Sequence, residues 1–252
     1  MTRKFVIANW KMHYGPMKAG AYVRAFRRER LPKELDIGIA VPSVSLAAAR
    51  ASLGRAGVPY LGAQNASWEQ EGAMTGEISP SMLTEFGVQF CLVGHSERRT
   101  HLFETDEMVN AKAKALQAQH ILPVICVGET AAQRKKGEQA KIVKQQAVKA
   151  LEGLTLEGDI APVIAYEPVW AIGSGKPCSA QEAHAMHEAI HDALVKKFGV
   201  KAEEIRIIYG GSVDQRNVAE YLSTTRIDGV LVGGASLDPR TFGLLCRSAI
   251  IA

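Results

Sequence analysis

A single (β/α)8 barrel spanning residues 1–252 is the fold class this sequence predicts, and three observations carry the prediction. Short apolar runs recur eight times, at Phe5–Ala8, Ile37–Val41, Tyr60–Ala63, Phe90–Val93, Leu122–Val127, Pro162–Ala165, Ile205–Tyr209 and Gly229–Val232. Such runs without polar alternation suit parallel strands buried on both faces. Amphipathic segments separate them, and strands alternating with helices imply parallel crossovers. A composition of 47% hydrophobic and 22% charged residues over 252 residues supports a large core, and barrels of this size form one domain. No linker, low-complexity tract or charge block marks a second domain. An open, doubly wound sheet is the alternative arrangement of the same alternation.

Two of the helical segments are legible in detail. One begins at a capping box, Thr130-x-x-Gln133, and is expected to continue through the stripe Ala140, Val143, Ala147 and Leu151. The other carries Ala183, Met186, Ile190, Leu194 and Phe198. Barrel chemistry gathers at the carboxyl ends of the strands. Taken in order, those ends read Asn9-Trp10-Lys11, Gln64-Asn65, Gly94-His95-Ser96-Glu97, Gly128-Glu129, Glu167, Gly210-Gly211-Ser212 and Gly233-Gly234.

Glu167 stands out because Pro168 follows it. The proline restricts Glu167 to extended geometry, so a carboxylate is delivered at a stiff junction ahead of an apolar, then glycine-rich segment, Val169 to Gly175. That is how a base beneath a movable lid would be written, and an ordinary strand-to-helix loop in which Trp170 and Ile172 pack locally is the alternative for this stretch alone. Glycines let backbone N–H groups approach an anion closely, so Gly210-Gly211-Ser212 and Gly233-Gly234 read as a phosphate site after the last two strands, with Gly173 of the lid closing its third side. A phosphate held by amides leaves Lys11 for the reacting end.

Other function classes lose support. Net charge is only +4, from 30 basic and 26 acidic residues, and the clusters at Arg24–Arg30 and Arg134–Lys136 fit solvated helix faces better than a nucleic-acid footprint. No run approaches the ~18 apolar residues of a membrane span, and the apolar stretch after Lys4 is too short for a signal peptide. Cys91, Cys126, Cys178 and Cys246 form no C-x-x-C pair and suit reduced thiols, so a cytoplasmic location is expected. Gly175-Lys176 fails the P-loop pattern because Trp170 and Pro177 occupy required positions, and no G-x-G-x-x-G follows a strand-like run. His187-Glu-Ala-Ile-His191 matches the zinc-protease pattern H-E-x-x-H, but Leu194 replaces the glycine of the extended motif. The stripe through Met186 and Ile190 should leave both histidines at a flank or in solvent.

Five ordered segments carry a resemblance across essentially the whole chain: Asn9–Met12, Gly94–Arg99, Ala165–Gly173, Tyr209–Val213 and Gly233–Leu237. They resemble the successive signature segments of the triosephosphate isomerase family. The resemblance implies a TIM barrel interconverting dihydroxyacetone phosphate and D-glyceraldehyde 3-phosphate through an enediolate, in glycolysis and gluconeogenesis, with neither metal nor organic cofactor. Glu167 would be the base, His95 a neutral electrophile at a helix start, Lys11 and Asn9 the groups facing the developing oxyanion, and Glu97 their orienting partner. Gly173, Ser212, Gly233 and Gly234 would bind the phosphate. It also implies a homodimer in which the 65–79 loop of one subunit enters the other, bringing Thr75 near its site; Trp68, Met74 and Ile78 are expected to be exposed on that loop. Two departures are visible: Pro177-Cys178 stands where small residues are common after the lid lysine, and His13 stands where Asn is frequent. A proline there would restrict the hinge. Two other functions remain to be weighed. One is an aldolase using Lys11 as a Schiff-base nucleophile, and the other is a phosphosugar-binding protein without turnover.

Overall fold

The computed structural model describes residues 3–54, 57–172 and 178–250. Each βα unit follows from the chain in turn: β1 (Lys4–Asn9) leads to α1 (Pro16–Phe26), β2 (Leu35–Val41) to α2 (Leu46–Leu53), and β3 (Tyr60–Ala63) to α3 (Pro80–Glu85). Next come β4 (Phe90–Val93) with α4 (Ser96–His101) and α5 (Asp106–Ala118), then β5 (Leu122–Val127) with α6 (Ala131–Lys135) and α7 (Gln139–Leu151). The last units are β6 (Val163–Tyr166) with α8 (Ala180–Phe198), β7 (Ile207–Tyr209) with α9 (Val218–Leu222), and β8 (Gly229–Val232) with α10 (Pro239–Ser248). The strands pair in sequence order, all parallel, and β8 closes onto β1 through Phe5↔Gly229 to Ala8↔Val232. Closure rules out the open sheet and removes every strand edge.

Alternate strand residues face opposite sides, and both sides are buried. Phe5, Ile7, Phe90, Leu92, Val124 and Ile208 fill the barrel interior, while Val6, Ala8, Ile37, Val93 and Ile164 pack outward against the helices. This double burial is why the strands read as continuous apolar runs. Phe90 fits inside only because β2 and β3 carry glycine opposite it: a Cβ on Gly62 would lie 2.2 Å from the Phe90 ring and one on Gly38 2.7 Å.

Several expectations need correction. The capping box at Thr130 is present, but its helix α6 ends at Lys135; Gly137 adopts φ +74 and a second helix, α7, carries the predicted stripe. A left-handed glycine is what stops the first segment. His187 lies neither at a flank nor in solvent. It is fully buried, its Nδ1 is 3.1 Å from the Arg226 carbonyl oxygen and its ring meets Tyr166 edge-on at 5.9 Å. Among the described residues no group of three His, Cys, Asp or Glu side chains is placed to hold a metal. β6 also starts one residue later than expected, because Pro162 has no N–H for the ladder. On the 65–79 loop, Met74 is exposed as expected, but Trp68 is half-buried and Ile78 packs against the core.

Candidate active site

The site is assembled from strand ends. Glu167 directly follows β6, and its backbone is pinned between its neighbours: its N–H donates to the Val127 carbonyl at 2.7 Å, and Gly210 N–H donates to the Tyr166 carbonyl at 2.7 Å. Glycine is obligatory at one flanking position and closely fitted at another. A Cβ on Gly128 would fall 1.8 Å from the Glu167 carbonyl oxygen, and one on Gly210 would fall 3.0 Å from Glu167 Cγ. Gly210, assigned from sequence to the phosphate end, therefore also makes room for the carboxylate.

His95 is the N-cap of α4, and its ring does the capping: Nδ1 accepts from the Glu97 N–H at 3.3 Å. An Nδ1 that accepts carries no proton, so the neutral ring holds its hydrogen on Nε2. That atom is 3.0 Å from Glu167 Oε1, while Glu167 Oε2 accepts from the Ser96 N–H at 2.8 Å. Both side chains are buried. Burial pushes the Glu167 pKa up, but the His95 contact and the Ser96 N–H outweigh it, and the carboxyl ends below its ordinary 4.5. Burial pushes the His95 pKa down, and the adjoining Glu167 carboxylate more than reverses this, to a net rise above 6.5. The upward push on the imidazole thus resides in the Glu167 contact. When the carboxylate leaves, burial and the helix terminus, which both favour the neutral ring, remain.

Lys11 enters from the end of β1 with φ +51, a left-handed conformation unusual for lysine, and its N–H donates to Asn9 Oδ1 at 2.9 Å. Its Nζ sits 2.6 Å from Glu97 Oε1. Such strain persists where surroundings over-determine the backbone. Across the barrel mouth, Gly233 precedes a 3-10 turn over Gly234–Ser236, and Ser212 Oγ donates to the Ala171 carbonyl at 3.2 Å.

One cavity of about 530 Å3, within the ~300–1,000 Å3 of small-ligand pockets, is lined by Asn9, Lys11, His95, Glu167, Ser212, Gly233 and Gly234. The structure therefore brings together those seven sequence-predicted residues. Glu97 borders an adjoining hollow with Lys11 and His95 instead. Gly173, like Pro177, lies outside the described residues.

Sequence reasoning missed the groups that hold this site from behind. Glu129, fully buried after β5, accepts from Tyr166 Oη at 3.2 Å and from Trp170 Nε1 at 2.7 Å, tying the start of the lid to β6. Arg134 stacks 4.2 Å over the Trp170 ring. Only the strand-end position of Glu129 signalled it; the Ser96 amide and its carboxylate partner, 71 residues apart, left no local trace.

Fold and site together define the class: a (β/α)8-barrel enzyme with a carboxylate, an imidazole and an ammonium group at the carboxyl end of the barrel. The family model for triosephosphate isomerase matches residues 4–249. The triosephosphate isomerases of Streptococcus thermophilus and Streptococcus gordonii are each 44% identical to the chain over 246 residues, covering 96% of it and 97% of each relative. The crystal structure of triosephosphate isomerase from Bartonella henselae superposes with a TM-score of 0.87 at 35% identity, covering 98% of this chain and 99% of that one. The chain belongs to the triosephosphate isomerase family.

Proposed function

We propose that the chain interconverts dihydroxyacetone phosphate and D-glyceraldehyde 3-phosphate in glycolysis and gluconeogenesis, with Glu167 as the base. The observation that carries the residue assignment is the buried Glu167–His95 contact beside Lys11, facing glycine turns across one cavity. Glu167 leaves the Ser96 N–H and takes a proton from the carbon next to the carbonyl. His95 Nε2–H donates a hydrogen bond to the carbonyl oxygen, and Lys11 with Asn9 stabilises the negative charge that develops there. His95 relays a proton between the two oxygens of the enediolate, and Glu167 returns its proton to the neighbouring carbon. The step balances with side chains alone and calls for no redox partner. Ser212, Gly233, Gly234 and the lid glycine Gly173 hold the phosphate, and lid closure excludes the water that would otherwise compete with the base. Glu97 keeps Lys11 and His95 oriented.

The protein works as a homodimer in the cytoplasm. Supporting the dimer is the hollow bounded by Lys11, Met12, Gly76, Glu77, Glu97 and Leu102, where Met12 and Leu102 are 97% and 57% exposed and Phe103, next in the chain, is 79% exposed. An isolated soluble surface rarely carries such a cluster. The 65–79 loop, exposed from Glu71 to Glu77 and with Thr75 at its tip, is the segment that fills the partner's hollow. Four free, buried cysteines fit a reducing compartment, and no helix among the described residues is long and apolar enough to cross a membrane.

Isomerisation of glyceraldehyde 3-phosphate by the purified protein, beside Glu167→Gln, tests the assignment. Rapid turnover that falls by about 10²–10⁴-fold in the variant is expected for a lost general base. Equal rates would remove Glu167 from that role. Phosphate binding without turnover in the unaltered protein would make it a sugar-phosphate binder, and a borohydride-trapped adduct on Lys11 would make it an aldolase.

A further inference from the structure

β4 delivers His95, β5 beside it supplies the Val127 carbonyl that anchors the Glu167 N–H, and the ladder between β4 and β5 ends early. Register runs from Phe90↔Leu122 to Val93↔Ile125 and stops there. Gly94, which leads into His95, and Cys126, which precedes the Val127 carbonyl that receives the Glu167 N–H, both lie just beyond the last pair. Arg99 spans that gap. It projects from α4, the helix His95 caps, and its Nε donates to the Gly94 carbonyl at 2.8 Å while one terminal nitrogen donates to the Cys126 carbonyl at 3.3 Å. The other terminal nitrogen is braced by Asp106 Oδ1 at 2.6 Å, from the first turn of α5. The Arg99 side chain is only 15% exposed and its guanidinium is closely packed, since a Cβ on Gly94 would lie 3.1 Å from it.

Three acceptors from three elements are thus met by one planar fork. A guanidinium holds its donors in fixed directions, whereas an ammonium presents them from a single point and cannot span all three. The two carbonyls belong to the peptides next to His95 and next to the anchor of Glu167. A shift of either by a fraction of an ångström moves the imidazole relative to the carboxylate, and a misplacement of ~1 Å can cost ~10²-fold in rate.

We propose that Arg99 is a positioning residue for the isomerisation: it replaces the missing rung between the ends of β4 and β5 and so sets the separation of His95 and Glu167. Resting as it does on the proposed isomerase chemistry, the inference concerns kcat alone. The phosphate end, at Ser212, Gly233 and Gly234, is built on β7 and β8 and does not depend on Arg99.

Steady-state kinetics of Arg99→Lys decides it. The expected result is a kcat at least tenfold lower with KM within twofold of the unaltered protein. In Arg99→Ala, added guanidinium chloride at low millimolar concentration should restore part of kcat, and ammonium chloride should not. Asn110→Ala supplies the comparison, because Asn110 is buried on α5 and bonds the Ala150 and Glu152 carbonyls away from the site; it should lower the melting temperature and leave kcat unchanged. If the Arg99 variants do not fold, Asp106→Asn, which takes the charge from the brace and weakens its hold on the guanidinium, should lower kcat several-fold at constant KM. A kcat within twofold of normal in Arg99→Lys (or, should the Arg99 variants fail to fold, in Asp106→Asn), kcat and KM changing together, or an equal loss in Asn110→Ala would overturn the proposal. Absence of turnover in the unaltered protein would instead remove the isomerase reading on which it rests.

Discussion

His95 and His187 bring the same imidazole into two surroundings, and their protonation separates accordingly. His95 has a carboxylate against it and is pushed up; His187 is sealed beneath Tyr166, with the Arg226 carbonyl as its hydrogen-bond partner, and burial drops its pKa to about 4. The unfolded chain keeps an ordinary histidine near 6.5. Between those values the unfolded state binds a proton that the folded state refuses, so stability is full above ~6.5 and declines as pH falls toward ~4. The decline due to His187 amounts to ~3 kcal/mol at ~1.4 kcal/mol per pH unit. Urea unfolding at pH 7 and pH 4.5 should therefore show a smaller acid loss in His187→Gln than in the unaltered protein, and parallel losses would sink this account. At the other histidine, the Nδ1 bond to the Glu97 N–H predicts that His95→Gln retains α4 but loses the Nε2 proton relay, lowering kcat by about 10²–10⁴-fold. An unchanged melting temperature alongside that loss would distinguish relay from folding. Lys11→Met tests the fixed charge at the same mouth: the alkyl stem is kept and the ammonium lost, and a kcat/KM fall of at least 10²-fold is expected.

Among the elements, strands paired on both faces announce themselves, and so do local caps. Six of the eight apolar runs both begin and end within a residue of the observed strands because each is buried against the barrel interior and the helix layer alike; β2 and β7 differ by two at their starts, β2 beginning at Leu35 ahead of the apolar run and β7 beginning only at Ile207. The break at Gly137 is also written locally, but the capping box before it and the apolar stripe after it read as one continuous helix. Contacts between distant strand ends have no periodicity to betray them, which is why Ser96 on Glu167, Glu129 on Trp170 and Arg99 on Cys126 emerge only from the folded chain. The barrel interior offers a test at this scale. Gly62→Ala inserts a methyl 2.2 Å from the Phe90 ring, and overpacking of this kind costs ~1–3 kcal/mol. Shortening the obstructing side chain should relieve it, so Gly62→Ala with Phe90→Leu should be less destabilised than the two single variants added together, by at least ~1 kcal/mol. Strict additivity in urea unfolding would mean that β3 moves aside and the close approach is not what glycine serves there.

At the scale of the whole molecule, the catalytic cavity and the hollow beside it share Asn9, Lys11 and His95, so the surface where a second subunit would dock is continuous with the reacting end. Glu97, which pairs with Lys11, is half-exposed in the single chain, and an incoming loop would shield that pair from water and stiffen it. Assembly and activity should therefore be coupled. Sedimentation should give twice the 27.2 kDa of one chain at micromolar concentration. Leu102→Lys, which puts an unpaired charge on the rim of the hollow, should weaken the dimer by at least ~1.4 kcal/mol, a tenfold change in Kd. Specific activity measured over a dilution series should fall at the concentration where the dimer dissociates, and that midpoint should move upward in the variant with it. A 27.2 kDa species that keeps full activity at every dilution would show that the loop folds on its own barrel, and that Lys11 and His95 are fully organised by the strand ends alone.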